Sequence, residues 1–512
     1  MKIITLSLLF FVVLQSVSQN HPSDQIPELT QKANIKVNFL PVGMPEGEAD
    51  MGLAGIHYNL LLNNWIYAGV GMYTAVSGTR GGLFTLGVNL GINRSVYKNI
   101  FVDTGIYFGG GGGAGSPDGG GAFILPHFNL GYAFKKFSLE AGYSYINFFN
   151  GGDINSSQWN AAVQIPLEYH YTTFDHAGTT LTESEISKQM NWQQKSRKFS
   201  VLFHFNNHDL MGDTKDTDGL PMDDKMINTV GIELNSYLKG NTFFFIKADG
   251  AYNGIESGYM DMILGLGYDF SFNRDRTRIL GKFGVGGAGG GGVDTDGGFV
   301  IYPDLSFEQK IFDDVFVSLN KGFLLSPDAS FLSSTYGIGF KYFFNQNGLI
   351  SKDDQAYTFA KFKGKEFILG EEFYFNVARN YEDLLDQMQQ IVLQLNFYLK
   401  KNIYLAGQAA FANFGDAGAY AEGLGGIGFS TSGDFSARFQ LFGQILAGAA
   451  GGGWIDTGEG LIIKPSAGGS VFFNDKLGLR LAVGQAKAVG GGLNSTFASA
   501  SLSYRLALLK AK

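Results

Sequence analysis

Residues 109–126 read GGGGGAGSPDGGGAFILP, residues 286–303 read GGAGGGGVDTDGGFVIYP, and residues 447–465 read AGAAGGGWIDTGEGLIIKP. Each is a glycine run, an acidic turn and a strand-like segment closed by a proline, and the last glycine of the turn (Gly121, Gly298, Gly460) stands five residues before that proline. A second motif has the same period. IHYNLLLN, IELNSYLK and LQLNFYLK align on Asn59, Asn235 and Asn396, with pitches of 235 − 59 = 176 and 396 − 235 = 161. The prolines give 303 − 126 = 177 and 465 − 303 = 162. Two unrelated motifs that agree to one residue over such distances predict three copies of one unit. A flexible glycine linker would keep neither the spacing to proline nor the strands on both sides.

The segments around these motifs alternate with period two. From Phe84, the residues Phe84, Leu86, Val88, Leu90 and Ile92 fall on one face and Thr85, Gly87, Asn89, Gly91 and Asn93 on the other. Met260, Met262, Leu264, Leu266, Tyr268 and Phe270 oppose Asp261, Gly265, Gly267 and Asp269 in the same way. Trp159 to Tyr171 and Tyr336 to Phe344 repeat the pattern. Runs of about 10 residues match a tilted membrane strand, whereas the strands of a soluble sandwich average about 5–6. Composition points the same way, with 14% aromatic and only 16% charged residues against about 25% charged in an ordinary soluble domain.

Connection lengths predict orientation. Tight turns at Asn63–Asn64, Lys239–Asn241, Lys400–Asn402, Lys135–Lys136, Phe312–Asp314 and Asn474–Lys476 alternate with longer loops rich in Gly, Asp and Ser. Short periplasmic turns and long outer loops are the outer-membrane arrangement. Each copy then supplies about eight strands, and the glycine motif falls on an outer loop between the fifth and sixth. On these residues the chain resembles three tandem copies of the small eight-stranded outer-membrane barrels of Gram-negative bacteria. It departs from that family in ending LSYRLALLKAK, with Tyr504 its last aromatic residue. The resemblance implies an antiparallel transmembrane β-barrel fold, outer-membrane lipid as surroundings, and the barrel-assembly machinery as a partner during insertion.

The expected organisation is a signal peptide at 1–18, MKIITLSLLFFVVLQSVS, then barrel repeats at 34–172, 197–345 and 366–509. Export to the outer membrane and cleavage near Ser18 follow from it; no cysteine is present there to carry a lipid anchor or anywhere to form disulfides. Polar connections from Thr172 to Lys198 and from about Asn345 to Lys365 provide slack between three closed barrels. The alternative is one 24-stranded barrel, which gains nothing from longer connections at those two places. Without Lys2, 37 basic residues face 46 acidic ones, which gives no case for nucleic acid.

Candidate sites have plain structural readings. Pro126, Pro303 and Pro465 predict bulges near the loops, and the glycines beside them predict close backbone approach, where barrels meet or where a loop caps a pore. Asp209, Asp213, Asp216, Asp218, Asp223 and Asp224, with Asp216-x-Asp218-Gly219 echoed by Asp294-x-Asp296-Gly297, offer oxygens for calcium but lack the glutamate of an EF-hand. The expectation is a solvated loop. His204 and His208 share a face, but no histidine recurs, since His57 becomes Glu233 and Gln394, and His127 becomes Asp304 and Ser466. No catalytic, cofactor or metal residue is therefore assigned. The leading reading is a non-enzymatic structural or surface-binding membrane protein with an extracellular or periplasmic protein partner. A wide-pore transport channel comes second and a lipid-modifying enzyme or protease third.

Overall fold

Period-two alternation becomes strand almost without interruption. The computed structural model describes residues 25–512 except 239, 352–353, 381 and 432–437; the expected signal peptide lies outside them. The first set of strands is β1 (Leu29–Val42), β2 (Met51–Leu61), β3 (Ile66–Ser77), β4 (Phe84–Tyr97), β5 (Ile100–Gly112), β6 (Phe123–Ala133), β7 (Ser138–Phe148) and β8 (Asn155–Tyr171). After a short β9 (Thr180–Thr182) come β10 (Arg197–Leu210), β11 (Met226–Tyr237), β12 (Thr242–Asn253), β13 (Met260–Phe272), β14 (Thr277–Gly289), β15 (Phe299–Phe312), β16 (Val315–Leu325) and β17 (Leu332–Gln346). The third set is β18 (Phe359–Arg379), β19 (Glu382–Tyr398), β20 (Ile403–Phe414), β21 (Ala421–Ser430), β22 (Phe439–Gly451), β23 (Leu461–Phe472), β24 (Leu477–Ala488) and β25 (Asn494–Ala511).

Within each set consecutive strands pair antiparallel, and strands β1 to β8 form a closed barrel. Pairing of β10 with β17, from Arg197 opposite Gln346 to Leu210 opposite Ser333, closes the second set. In the third set β18 lies along β25 from Ala360 opposite Ala511 to Tyr374 opposite Phe497. A single pair, Asn345 with Ala511, links β17 to β25.

The faces sort as the alternation requires. Leu266, Tyr268 and Phe270 stand exposed on β13 while Asp261 and Asp269 of the same strand are buried. Phe128, Leu130 and Tyr132 are exposed on β6 and Asn129 is buried. A soluble sandwich turns its apolar face inward; here it is turned out, as lipid requires.

Two expectations are corrected. At the prolines the ladder is interrupted without a bulge. Pro126, Pro303 and Pro465 pair back to the preceding strand, but toward the following strand pairing skips from Ile124–Asn147 to His127–Ser144, and equally at Ile301 and Ile463. The register is unchanged across the gap, since proline only removes a donor. The connections between sets are also folded rather than slack. Phe174, Leu181, Ile186 and Trp192 are buried in one cluster with Ile26, Leu349 and Phe362, and Trp192 Nε1 donates to the carbonyl of Ile26 at 3.2 Å. Apolar residues spaced through a polar stretch are enough to nucleate such a knot, and β9 adds pairing of Leu181 with Ala360.

Candidate functional site

Two places in the molecule concentrate chemistry: the interiors of the strand sets and the joint between them. The interiors are filled by charge. In the first, Lys36 from β1 is paired with Glu140 and lies 3.6 Å from Asp103. Asp103 also accepts from Tyr67 Oη at 2.9 Å and Gln164 Nε2 at 3.0 Å, and His127 Nε2 is 2.7 Å away. The cavity left among Lys36, His57, Tyr67, Asn89 and Asn160 measures about 10 Å³, no more than the space of one water.

The second interior carries Lys247 between Asp249 and Asp261 at 2.8 and 2.7 Å, Lys282 between Glu233 and Asp304 at 2.8 and 2.9 Å, and Lys341 against Glu308 at 2.6 Å. In the third, Lys464 bridges Glu372 and Glu422 at 2.5 and 2.6 Å, and Tyr374 Oη donates to Glu422 at 2.7 Å. All these side chains are buried. A buried charge persists only when it is paired and hydrogen-bonded, and in each strand set these lysines and carboxylates hold one another across the interior.

The histidines join these networks. His57 Nε2 lies 3.0 Å from Asn38 Oδ1, and His204 Nε2 lies 2.7 Å from Asp249 Oδ1. Among the described residues, one group brings three ligand atoms within 4.8 Å of one another: His208, Asp249 and Asp261. The Lys247 ammonium already sits on both of those carboxylates, so the place of a cation is taken. The acidic loop after β10 does not converge on a centre. Asp216 Oδ1 instead accepts from the backbone N–H of Asp218 and Leu220 at 3.0 and 2.7 Å, and Asp213, Asp218, Asp223 and Asp224 are exposed.

The joint is made by the glycine motifs. Gly121, Gly298 and Gly460 have φ of +88°, +89° and +107°, and a Cβ there would come within 2.8, 2.7 and 2.7 Å of the carbonyl oxygens of Ala412, Ala75 and Ala251 respectively. Those alanines are themselves equivalent, at 251 − 75 = 176 and 412 − 251 = 161. The motif of the first set thus packs on the third, that of the second on the first, and that of the third on the second. Head-to-tail contacts that close after three steps form a ring, the geometry of a cyclic trimer. The Gly81 N–H donates to the carbonyl of Asp296 at 2.6 Å across one of these contacts.

Beside the ring, Phe84 and Leu86 from the first set, Met262 from the second and Phe411 from the third form one buried apolar cluster. These four lie on the outward face at the strand ends next to the longer loops, where the sets meet, while Leu90 and Leu266, on the same face further along the same strands, are exposed. Asp118, in the motif of the first set, lies in this joint. Its carboxylate accepts from Gly113 N–H and Ser116 Oγ, both at 2.8 Å, and burial pushes its pKa up to about 6.

No protein-family model and no curated protein matches the sequence. Solved structures that align include the ferric enterobactin receptor PfeA of Pseudomonas aeruginosa, with 10% identity over 94% of this chain and 82% of that one and a TM-score of 0.27. The siderophore receptor PirA of Acinetobacter baumannii aligns at 8% identity, 94% and 81% coverage and a TM-score of 0.28. OpdQ of P. aeruginosa aligns at 9%, 94% and 98%, with a TM-score of 0.21. At such scores the likeness says nothing about a ligand. The chain's own strands, with their outward apolar face and filled interiors, are those of an outer-membrane type of β-barrel protein.

Proposed function

We propose that this chain is a non-enzymatic structural protein of the bacterial outer membrane, in which residues 34–172, 197–345 and 366–509 serve as three small barrels clamped into one rigid unit that presents its outer loops to a partner. The observation that carries this reading is the set of buried ion networks: Lys36, Lys282 and Lys464, each held between carboxylates inside a different strand set. Solid interiors are costly to reopen, because moving a paired lysine leaves its carboxylates buried and unpaired. First-to-last strand pairing in each set supports three barrels over one wide pore. Export behind residues 1–18 and insertion by the barrel-assembly machinery belong to the same reading.

The test is planar-bilayer recording on purified full-length protein that shows heat-modifiable gel migration. Folded protein with no conductance steps is expected. Nanosiemens-scale steps would restore the transport channel, and migration that is unchanged by boiling, together with solubility in plain buffer, would remove the membrane assignment itself.

A further inference from the structure

One charged feature belongs to neither the interiors nor the joint. At its start β18 runs past the end of β19 while β25 stays beside it as far as Ala360, and Lys361, Lys363 and Lys365 alternate on its outward face while Ala360 and Phe362 point into the folded knot of the connections. Across the strand pair, Lys510 of β25 stands opposite Lys361, and Leu508 opposite Lys363. All four lysines are half-buried. Lys510 reaches Asp314 at 3.1 Å. Lys363 and Lys365 make no ion pair among the described residues; Lys365 Nζ lies over the Phe397 ring, 3.7 Å from its centroid. Neighbouring like charges on a strand pair are destabilising, and Asp314 is taken by Lys510, so among the described residues Lys363 and Lys365 are left without a carboxylate.

We infer that this stripe is a binding site for the phosphate headgroup of an anionic phospholipid of the inner leaflet. The place fits the ligand. Lys365 is paired with Phe397, three residues before the tight turn that carries Lys400 and Lys401, and on the reading above such turns face the periplasm. The stripe therefore sits where headgroups of the inner leaflet lie, with Phe397 and Leu508 beside it for the first methylenes of the chains. Ammonium groups on long stems supply several donors to a phosphodiester, and each lysine near an anionic surface contributes about a factor of five in affinity. The site thus rests on the membrane assignment and on the orientation proposed for it.

The experiment uses the full-length protein in detergent, first shown to migrate as a heat-modifiable barrel, so that failure of the membrane reading appears before lipid is added. Dioleoylphosphatidylglycerol, dioleoylphosphatidylcholine and inorganic phosphate are then added separately, and retained lipid is counted by native mass spectrometry beside the thermal unfolding midpoint. Phosphatidylglycerol is expected to be retained and to raise the midpoint, with phosphatidylcholine and inorganic phosphate doing neither. The variant Lys363→Gln/Lys365→Gln should retain phosphatidylglycerol roughly thirtyfold less, and Lys363→Arg/Lys365→Arg should restore retention. Equal retention by the Gln variant and the native protein, or an equal shift with inorganic phosphate, would overturn the proposal. Loss of heat-modifiability in the Gln variant but not the Arg variant would overturn it as well, because the lysines would then be needed to fold the strand and not to hold lipid.

Discussion

The joint and the interiors solve different problems, and the chain repeats only one of the solutions. At the joint the same residue type recurs at each step: Gly121, Gly298 and Gly460 against the carbonyls of Ala412, Ala75 and Ala251. In the interiors the neutralising lysine comes from β1 in one set, from β12, β14 and β17 in another, and from β23 in the third. Backbone contacting backbone leaves no room for a Cβ, so position and residue are both dictated. A lumen requires only volume filled and charge balanced, which many arrangements satisfy.

The largest expected effect follows from breaking that balance. Lys464→Ala strands Glu372 and Glu422 in the third interior and should destabilise the protein by about 3–5 kcal/mol, read as a lower urea midpoint or loss of the heat-modifiable form. The triple variant Lys464→Met/Glu372→Gln/Glu422→Gln removes all three charges together and should recover most of that loss. If the triple variant is as damaged as the single one, the interior depends on its particular residues and the contrast with the joint fails.

The next effect belongs to the joint. Gly298→Val places a β-branched side chain at positive φ, at a cost of about 1–3 kcal/mol, and also drives its Cβ onto the carbonyl of Ala75. Gly219 is the control, with φ of +81° and no atom within 4 Å of a Cβ. Gly219→Val carries the strain alone. The unfolding midpoint should fall further for Gly298→Val than for Gly219→Val. Equal losses would mean that only backbone strain is at stake and that the sets do not hold one another there.

This contrast also decides what could be read in the sequence. A contact that recurs at fixed spacing leaves a periodic trace, and the five-residue interval from glycine to Pro126, Pro303 and Pro465 is that trace. Strand facing was legible for the same reason, since Leu90 and Leu266 alternate with Asn89 and Gly265. The interior networks leave none. Lys36, Asp103 and Glu140 come from three strands far apart in the chain, and no local pattern distinguishes them from solvated charges. The knot around Trp192 was hidden by its polar neighbours, which made residues 172–198 look like slack. The prolines invited a bulge because proline is common at bulges, and only the pairing on both sides shows that the register is kept.

The smallest effect lies where the two kinds of region overlap, at Asp118, a buried carboxyl inside the joint. Its counterparts in the other motifs are Thr295 and Thr457, so it is the one titratable group at that position in the ring. A Cβ at Gly418 of the third set would come within 2.8 Å of Asp118 Oδ1, which leaves no room to hydrate the charged form. Its folded pKa of about 6 lies above the ordinary 3.8, so the folded state holds the proton more tightly than the unfolded chain does. Stability linked to Asp118 is therefore fully present below pH 4 and is lost as pH rises from about 4 to 6. The charge of Arg80 pulls the other way, but it is the weakest of the causes acting on this group, and Arg80 is itself engaged with Glu48 at 2.7 Å. Asp118→Asn keeps an acceptor for Gly113 N–H and Ser116 Oγ and stays neutral throughout. Its urea midpoint should match the native protein at pH 4 and exceed it at pH 8, by about 1–2 kcal/mol. A variant that follows the native protein at both pH values would mean that the joint is wet enough to carry the charge, and that tight backbone contact does not extend to Asp118.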